Sequence, residues 1–204
     1  MTSYLMDQLL VVDFDGTICF DRFWRSVDQS TMARIQALLF GHDREMIRRW
    51  MRGEHTSEEI NHFIADQLDI SYEDLWKIFV NDCQTMAVDL EVLAHLKSLR
   101  NRWRTLLMTD NMDCFSRFTK PTLNLDHYFD SIVNSADHGR LKGDNDGEFF
   151  VELARKIDIP LSRAILIDNS TRACDHFIKL GGQACLVTEQ KTIKYWLSHL
   201  PLFV

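Results

Sequence analysis

The sequence predicts an α/β protein with a parallel β-sheet and an inserted all-helical segment. Short apolar runs alternate with amphipathic helical patterns from Asp89 onward, which indicates βαβ units with right-handed crossovers. An earlier apolar run at residues 9–12 is typical of a buried parallel strand and needs the same sheet to cover it. Residues 19–88 show helical patterns and no strand pattern. We therefore expect residues 1–18 and 89–204 to form the core and 19–88 to form a helical cap.

Composition limits the class of protein. The chain has 204 residues, 46% of them hydrophobic, which suits a globular core with a small insertion. A formal net charge of -7 argues against nucleic acid as the main partner. No apolar run reaches the length of a membrane helix, and the first residues lack the pattern of a signal sequence. Five scattered cysteines without a Cys-x-x-Cys pair predict reduced thiols. We expect a cytoplasmic protein that binds neither membrane nor nucleic acid; the sequence does not predict an oligomeric state.

Capping residues define the expected helices of the insertion. Ser30, Asp43, Thr56 and Ser71 each precede apolar residues at helical spacing. Thr56 and Glu59 also fit a capping box. These apolar stripes indicate a small helical bundle rather than a cofactor site.

The second part of the chain alternates strands and helices. Asp89 is predicted to cap a helix that leads into a buried strand at residues 105–109. Further elements follow in order, namely a helix from about 112 to 120, a strand at 130–135, a polar loop at 137–144, a helix around 150–157, a strand at 164–170, a helix ending at residues 181–182, a strand at 184–187 and a helix around 193–200. The parallel strands would all end at the same edge of the sheet.

Two carboxylates follow the first strand. Asp13 and Asp15 are separated by one residue and followed by Gly16, which permits a sharp turn. Ligands of open α/β sheets bind at the carboxyl ends of the strands. Two carboxylates this close repel each other unless a cation lies between them. The pattern predicts a hard-cation site for Mg²⁺, with one carboxylate left to attack or to move a proton; a plain acidic turn is the alternative.

Other polar residues follow the neighbouring strands. Thr109 ends the second strand, Asp168 and Asn169 end the fourth, and Lys142 lies in the polar loop. This set suits phosphoryl transfer, which needs positioning and neutralisation of oxygen charge. Taken singly, Thr109 and Asp168 could be helix caps and Lys142 a surface lysine.

At these positions the chain resembles the haloacid dehalogenase (HAD) superfamily, most of all its Mg²⁺-dependent phosphatases. Residues 13–17 (Asp-Phe-Asp-Gly-Thr) match the first motif, Thr109 the second, Lys142 the third and residues 165–170 the fourth. The motifs occur in the family's order and span essentially the whole chain. The resemblance implies a Rossmann-like core with a helical cap inserted between the first and second motifs.

The resemblance also implies catalytic roles. Asp13 would be the nucleophile that forms an aspartyl-phosphate, and Asp15 would protonate the leaving oxygen and then activate water. The dehalogenases of the superfamily lack an acid at the position of Asp15, so dehalogenation is disfavoured here. A phosphomutase or phosphotransferase with the same intermediate, or a catalytically silent binding domain, stays open as an alternative.

A substrate site and a metal site are implied in the same way. Gly16, Thr17, Thr109, Asp110 and Lys142 would bind the phosphoryl group of a small phosphorylated substrate. The metal ligands would come from two motifs, namely Asp13, Asp15, Asp168 and Asn169. The family often has Asp where this chain has Asn169, so we expect weaker Mg²⁺ binding than an aspartate would give; whether Asp168 or Asn169 is the main ligand stays open.

Substrate choice is expected to depend on the cap. Arg48, Arg49 and Arg52 are predicted to lie on one helix. An arginine there could bind an anionic part of the substrate. A solvated helix face is the alternative interpretation of the same cluster.

Overall fold

Five parallel strands form the sheet in the part of the chain that this computed structural model describes, residues 8–41 and 44–200. The strands are β1 (Leu9–Val12), β2 (Arg104–Thr109), β3 (Ser131–Asn134), β4 (Ala164–Asp168) and β5 (Gln183–Leu186). Their order is β3-β2-β1-β4-β5, so β1 lies in the middle of the sheet. Val12 pairs with Leu107 of β2 on one side and with Ile167 of β4 on the other. The predicted α/β class is confirmed.

Helices cover both faces of the sheet. In chain order they are α1 (Gln29–Phe40), α2 (Glu45–Met51), α3 (Ser57–Leu68), α4 (Tyr72–Gln84), α5 (Leu90–Leu99), α6 (Lys120–Thr122), α7 (Ser135–His138), α8 (Glu148–Ile157), α9 (Thr171–Lys179) and α10 (Ile193–Ser198). Leu10 and Val12 pack with α5 and α10, whereas Leu9 and Val11 pack with α8 and α9. Because β1 is buried on both faces, it needs apolar residues at every position rather than at alternate ones.

Helices α1 to α4 lie between β1 and β2 in the chain and share one hydrophobic core, to which Met112 and Cys114 after β2 also contribute. Trp24, Trp50 and Phe79 form its centre, with ring centroids 5.0 to 6.1 Å apart. The indole of Trp24 donates a hydrogen bond to the Asn61 side chain at 2.9 Å, so its buried N–H is satisfied. We call residues 19–88 the insertion; their division from the core at these boundaries stays a prediction.

Three of the predicted helix caps are confirmed. Thr56 forms the capping box with Glu59, and Ser71 and Asp89 cap α4 and α5. The prediction for Ser30 was wrong, because Asp28 caps α1 instead. The Asp28 carboxylate accepts hydrogen bonds from two backbone N–H groups, one of them that of Ser30 itself. The predicted cap Asp43 lies outside the described residues.

Two other predictions need correction. The segment predicted as a polar loop at 137–144 begins inside the helical turn α7, which ends at Gly139 in a left-handed conformation (φ 68°). The helix predicted at 112–120 contains a π-helical turn, Phe115–Thr119, that leads into α6. Single turns of helix are too short to show an apolar period, so neither could be recognised from the sequence.

Several contacts join the insertion to the part of the chain that forms the sheet. Arg52 forms a bidentate ion pair with Asp144: its Nη2 lies 2.8 Å from Oδ1 and its Nε lies 3.0 Å from Oδ2. The Trp50 indole donates to Asp113 at 2.8 Å. Gly53 lies so close to the Ala136 carbonyl oxygen that a Cβ there would be 2.4 Å away from it. Within residues 8–41 and 44–200, no helix combines the length and the apolar character required to cross a bilayer.

Candidate active site

The register of the sheet places Asp13 and Asp168 side by side. The backbone N–H of Asp13 donates to the Ile167 carbonyl at 2.9 Å, so the chain keeps its strand pairing one residue beyond β1. Asp168 is the last residue of β4, and Thr109 is the last residue of β2 on the other side. Three polar side chains therefore meet at the carboxyl edge of the sheet, and all three are at least 96% buried.

Lys142 joins the two aspartates. Its Nζ lies 2.8 Å from Asp13 Oδ1 and 2.5 Å from Asp168 Oδ2. Its backbone N–H donates to Asp110 Oδ1 at 2.8 Å, which attaches the loop that carries Lys142 to the end of β2. The structure thus brings together four residues that lie up to 155 positions apart in the sequence.

The charges in this cluster are unbalanced. The pKa of Asp13 is raised to about 8, mainly by burial; Lys142 opposes this shift and the neighbouring Asp168 adds to it. Burial acts to lower the pKa of Lys142, but Asp13, Asp168 and Asp110 outweigh it and hold that pKa above its usual value. Lys142 is therefore charged, and one ammonium faces three carboxyl groups. An additional cation would stabilise the ionised form of Asp13.

Asp15 lies at the mouth of the site. Its side chain is 52% exposed and pairs with Arg22 at 2.7 Å. Desolvation by the surrounding protein still raises the pKa of Asp15, although Arg22 and Lys142 oppose the shift. A carboxyl group with a raised pKa beside a cavity can hold a proton and give it to a bound molecule.

Two threonines face the same centre. Thr109 Oγ1 is buried and has no hydrogen-bond partner in the part of the chain that the structure describes. The Thr17 hydroxyl, also buried, lies 3.4 Å from Asp13 Oδ2, which is a long hydrogen bond. A buried hydroxyl without a partner costs stability, and an oxygen of a bound anion could accept its proton.

Gly16 and Asn169 are in close contact beside these residues. Gly16 has a φ of +75°, and a Cβ at this position would lie 2.1 Å from Asn169 Nδ2. Any larger residue would therefore displace the Asn169 side chain. The turn after Asp15 can thus pack closely against the end of β4 because Gly16 has no side chain.

Only some of the predicted metal ligands are suited to bind a magnesium ion. Asp168 uses Oδ2 for Lys142 and Oδ1 for the Ser170 N–H at 2.7 Å, so each of its oxygens already accepts one hydrogen bond. Among the described residues, no three His, Cys, Asp or Glu side chains are grouped so that they could hold a metal. Asp13, the Asp15 carbonyl and the Asn169 amide oxygen would supply hard oxygen donors with one full charge. That set suits Mg²⁺, which keeps several waters in proteins.

A cavity of about 360 Å³ opens between this edge and the insertion. Asp15 and Asp110 line it on the side of the sheet, and Arg22 and Arg48 line it on the side of the insertion. The size is suited to a small molecule. Of the predicted residues, Asp13, Thr109, Lys142 and Asp168 are buried beneath this opening.

Sequence patterns did not reveal several contacts of the site. The ion pair of Arg22 with Asp15 and the carboxylate of Asp110 on the Lys142 loop carry no recognisable spacing. Asp144 lies next to the third motif, but its partner Arg52 is 92 residues away. Such pairs depend on how the insertion folds against the sheet.

The parallel sheet and the acidic strand ends define an α/β protein with a candidate site at the carboxyl edge of the sheet. Residues 8–172 match the family model described as haloacid dehalogenase-like hydrolase. The chain therefore belongs to the haloacid dehalogenase-like hydrolase family, and the predicted membership is confirmed. A comparison with curated proteins found no match.

Solved structures share the fold at low sequence identity. A HAD family enzyme from Bacteroides thetaiotaomicron, in complex with magnesium and inorganic phosphate, is 15% identical with a TM-score of 0.69, covering 89% of this chain and 94% of its own. A predicted HAD-like hydrolase from Porphyromonas gingivalis is 16% identical with a TM-score of 0.65, covering 89% and 91%. A 2-haloacid dehalogenase from Pseudomonas syringae is 15% identical with a TM-score of 0.63, covering 91% and 88%. The fold thus occurs with more than one chemistry.

Proposed function

We propose that this hydrolase is a Mg²⁺-dependent phosphatase that acts on a small phosphorylated metabolite through an aspartyl-phosphate on Asp13. The observation that carries the proposal is the buried contact of Lys142 with both Asp13 and Asp168, next to the unpartnered hydroxyl of Thr109. A charged lysine and a free hydroxyl donor are suited to the non-bridging oxygens of a phosphoryl group. The magnesium and phosphate bound to the Bacteroides enzyme are compatible with the same chemistry.

The proposed reaction has two displacements. Asp13 attacks phosphorus, the bond to the leaving oxygen breaks, and Asp15 gives its proton to that oxygen. Water then attacks the phosphorus of the aspartyl-phosphate while Asp15 takes its proton, and phosphate leaves Asp13. Lys142 and Thr109 bind the phosphoryl oxygens in both steps.

Magnesium would be held by Asp13, the carbonyl of Asp15 and Asn169. It would reduce the repulsion between the Asp13 carboxylate and the phosphate. Asp168 would keep Lys142 in place, because its Oδ2 accepts a hydrogen bond from the Lys142 ammonium and its Oδ1 accepts one from the Ser170 N–H.

The test is release of inorganic phosphate from a broad panel of phosphorylated metabolites by purified protein with Mg²⁺. We expect turnover by the wild type and none by Asp13→Asn, with unchanged circular dichroism as the control for folding. Absence of phosphate release across the panel would contradict the proposal.

Three assays separate the alternatives. The dehalogenase among the structural neighbours makes halide release from 2-chloropropionate a necessary comparison; because Asp15 is present, we expect none. A phosphomutase would isomerise sugar phosphates without net phosphate release. A silent binding domain would fail to bind a fluoride-based phosphate mimic at Asp13.

A further inference from the structure

The wall of the cavity is largely apolar, unlike its floor. Seven side chains supply the apolar surface, namely Phe14, Phe23, Phe40, Ile47, Met51, Met86 and Met112. A small polar molecule such as a sugar phosphate would leave this surface uncovered. A substrate with an aromatic or branched apolar body would bury it and gain the corresponding free energy.

The arginines of α2 differ in what they contact. Arg49 pairs with Glu54 at 2.9 Å inside the insertion, and Arg52 pairs with Asp144. Arg48 lines the cavity, and its contact with Glu45 is long at 3.8 Å with both side chains about half exposed. Such an exposed pair contributes little and is easily exchanged for a better partner. Arg48 can therefore bind an anionic group inside the cavity.

Charge divides the cavity into two ends. Asp15 and Asp110 would repel any anion near the sheet other than the phosphoryl group held by Lys142. Arg44 lies one helical turn before Arg48 and lines the same cavity. Asp21 and Arg22 of the insertion also line the cavity, but each has a partner of opposite charge, Arg25 and Asp15 respectively. A second anionic group is therefore attracted to the end where Arg44 and Arg48 lie and repelled from the other end.

We propose that the substrate is a phosphomonoester with an apolar body and a second acidic group, and that Arg48 binds this acidic group. The inference rests on the proposed phosphatase function and names the substrate class of the same site. The apolar wall holds the body of the substrate, Lys142 holds the phosphoryl group, and Arg48 determines the preference for the doubly anionic molecule.

The experiment uses matched probes. Phenyl phosphate is compared with 4-carboxyphenyl phosphate and with its homologue that carries a propionate in place of the carboxylate, so that two distances to Arg48 are sampled. For the wild type we expect kcat/KM at least about tenfold higher for one of the acidic probes than for phenyl phosphate, since a charge-assisted hydrogen bond is gained. In Arg48→Gln that advantage should disappear, so that kcat/KM for the acidic probes falls to about the value for phenyl phosphate.

Arg49→Gln is the matched control, because its side chain is adjacent on α2 but pairs with Glu54. It should leave the preference intact. Equal rates for all three probes, or the same loss in both variants, would overturn the inference.

Binding separates this inference from the proposed function. Calorimetry with Asp13→Asn needs no turnover, and we expect tighter binding of the preferred acidic probe than of phenyl phosphate. If the wild type hydrolyses no probe but this binding preference is found and is lost in Asp13→Asn combined with Arg48→Gln, only the phosphatase reaction is contradicted. If binding shows no preference, the second-anion site is contradicted.

Discussion

At the scale of single residues, the buried hydroxyl of Thr109 is unusual. Thr105, four residues earlier on the same strand, has a hydroxyl that donates to Asp130 at 3.0 Å and accepts from the Asp130 N–H at 3.1 Å. Thr109 makes no such bond in the described part of the chain. We therefore expect the two hydroxyls to have different roles. That of Thr105 stabilises the fold, and that of Thr109 would donate to a bound ligand.

Replacing each threonine by valine separates these roles. Thr109→Val removes a hydroxyl without a partner, so the free energy of unfolding should stay the same or rise while kcat falls by roughly 10²-fold. Thr105→Val should lower the free energy of unfolding by about 1–2 kcal/mol and leave kcat unchanged. Urea unfolding and phosphatase assays check both variants. A destabilised Thr109→Val protein with normal kcat would contradict the assignment.

Asn169 is the other residue whose chemistry can be tested directly. Asn169→Asp adds a negative charge next to Asp13, so the Mg²⁺ concentration at half-maximal rate should fall by about tenfold. The control is Asn81→Asp, a change of the same kind at an exposed position of α4. An unchanged or weaker metal requirement in Asn169→Asp would count against Asn169 as a ligand.

At the scale of elements, α2 is linked to the loop that carries Lys142. Asp144 accepts two hydrogen bonds from Arg52 and a third from the Leu141 N–H at 2.9 Å. Hydrogen bonding to Arg52 is the largest cause that holds the pKa of Asp144 below its usual value. The position of the insertion is thus coupled to the position of the loop that carries Lys142.

The pH dependence of stability should reveal this link. The Asp144 carboxylate has a lower pKa when folded than when unfolded, so its contribution is complete above about pH 4 and is lost as the pH falls through the folded pKa. At pH 7, Arg52→Ala should lower the free energy of unfolding by about 1 kcal/mol. The difference from wild type should shrink below pH 4, as measured by denaturant titration.

Arg49→Ala serves as the control, because its pair with Glu54 is about half exposed and lies within the insertion. It should cost less than Arg52→Ala and leave kcat unchanged. If Arg52→Ala had the same effect at pH 3 as at pH 7, the Asp144 contact would not be its cause.

At the scale of the whole molecule, magnesium should stabilise the protein. Asp13 and Asp168 share one lysine, and a cation bound at Asp13 reduces their repulsion. Binding to the folded state alone at 100 times Kd adds about 2.7 kcal/mol, which for a chain of this size raises Tm by roughly 5–10 °C.

Thermal melts in EDTA and in MgCl₂ measure the shift, with NaCl at matched ionic strength as the control. Asp13→Asn should lose most of the shift. A shift of equal size with NaCl, or one unchanged in Asp13→Asn, would mean that magnesium acts elsewhere.

Much of this fold follows from short-range sequence signals. The strand β1 and its acidic end were predicted because a strand buried on both faces must be apolar throughout, and Thr56 and Ser71 were predicted because caps act within one turn. Ser30 was misassigned because the helix begins earlier: Asp28 is the cap, and Ser30 lies inside α1 with its own N–H bonded to Asp28.

The sequence predicted which residues belong to the candidate site better than it predicted the contacts between them. Parallel strands bring their ends together whatever the rest of the chain does, so Asp13, Thr109 and Asp168 could be grouped in advance. That Asp168 bonds to Lys142, and that Arg48 differs from its neighbours on α2, depends on tertiary packing that no local pattern encodes.

The approach of Gly53 to Ala136 has a consequence for how this protein can diverge. There the main chain of the insertion lies against the main chain beside the sheet, with no side chain between them. The spacing at this point therefore does not change when residues lining the cavity are replaced. Substitutions in the cavity can therefore change which molecules fit there, while the distance between the two main chains at Gly53 stays the same.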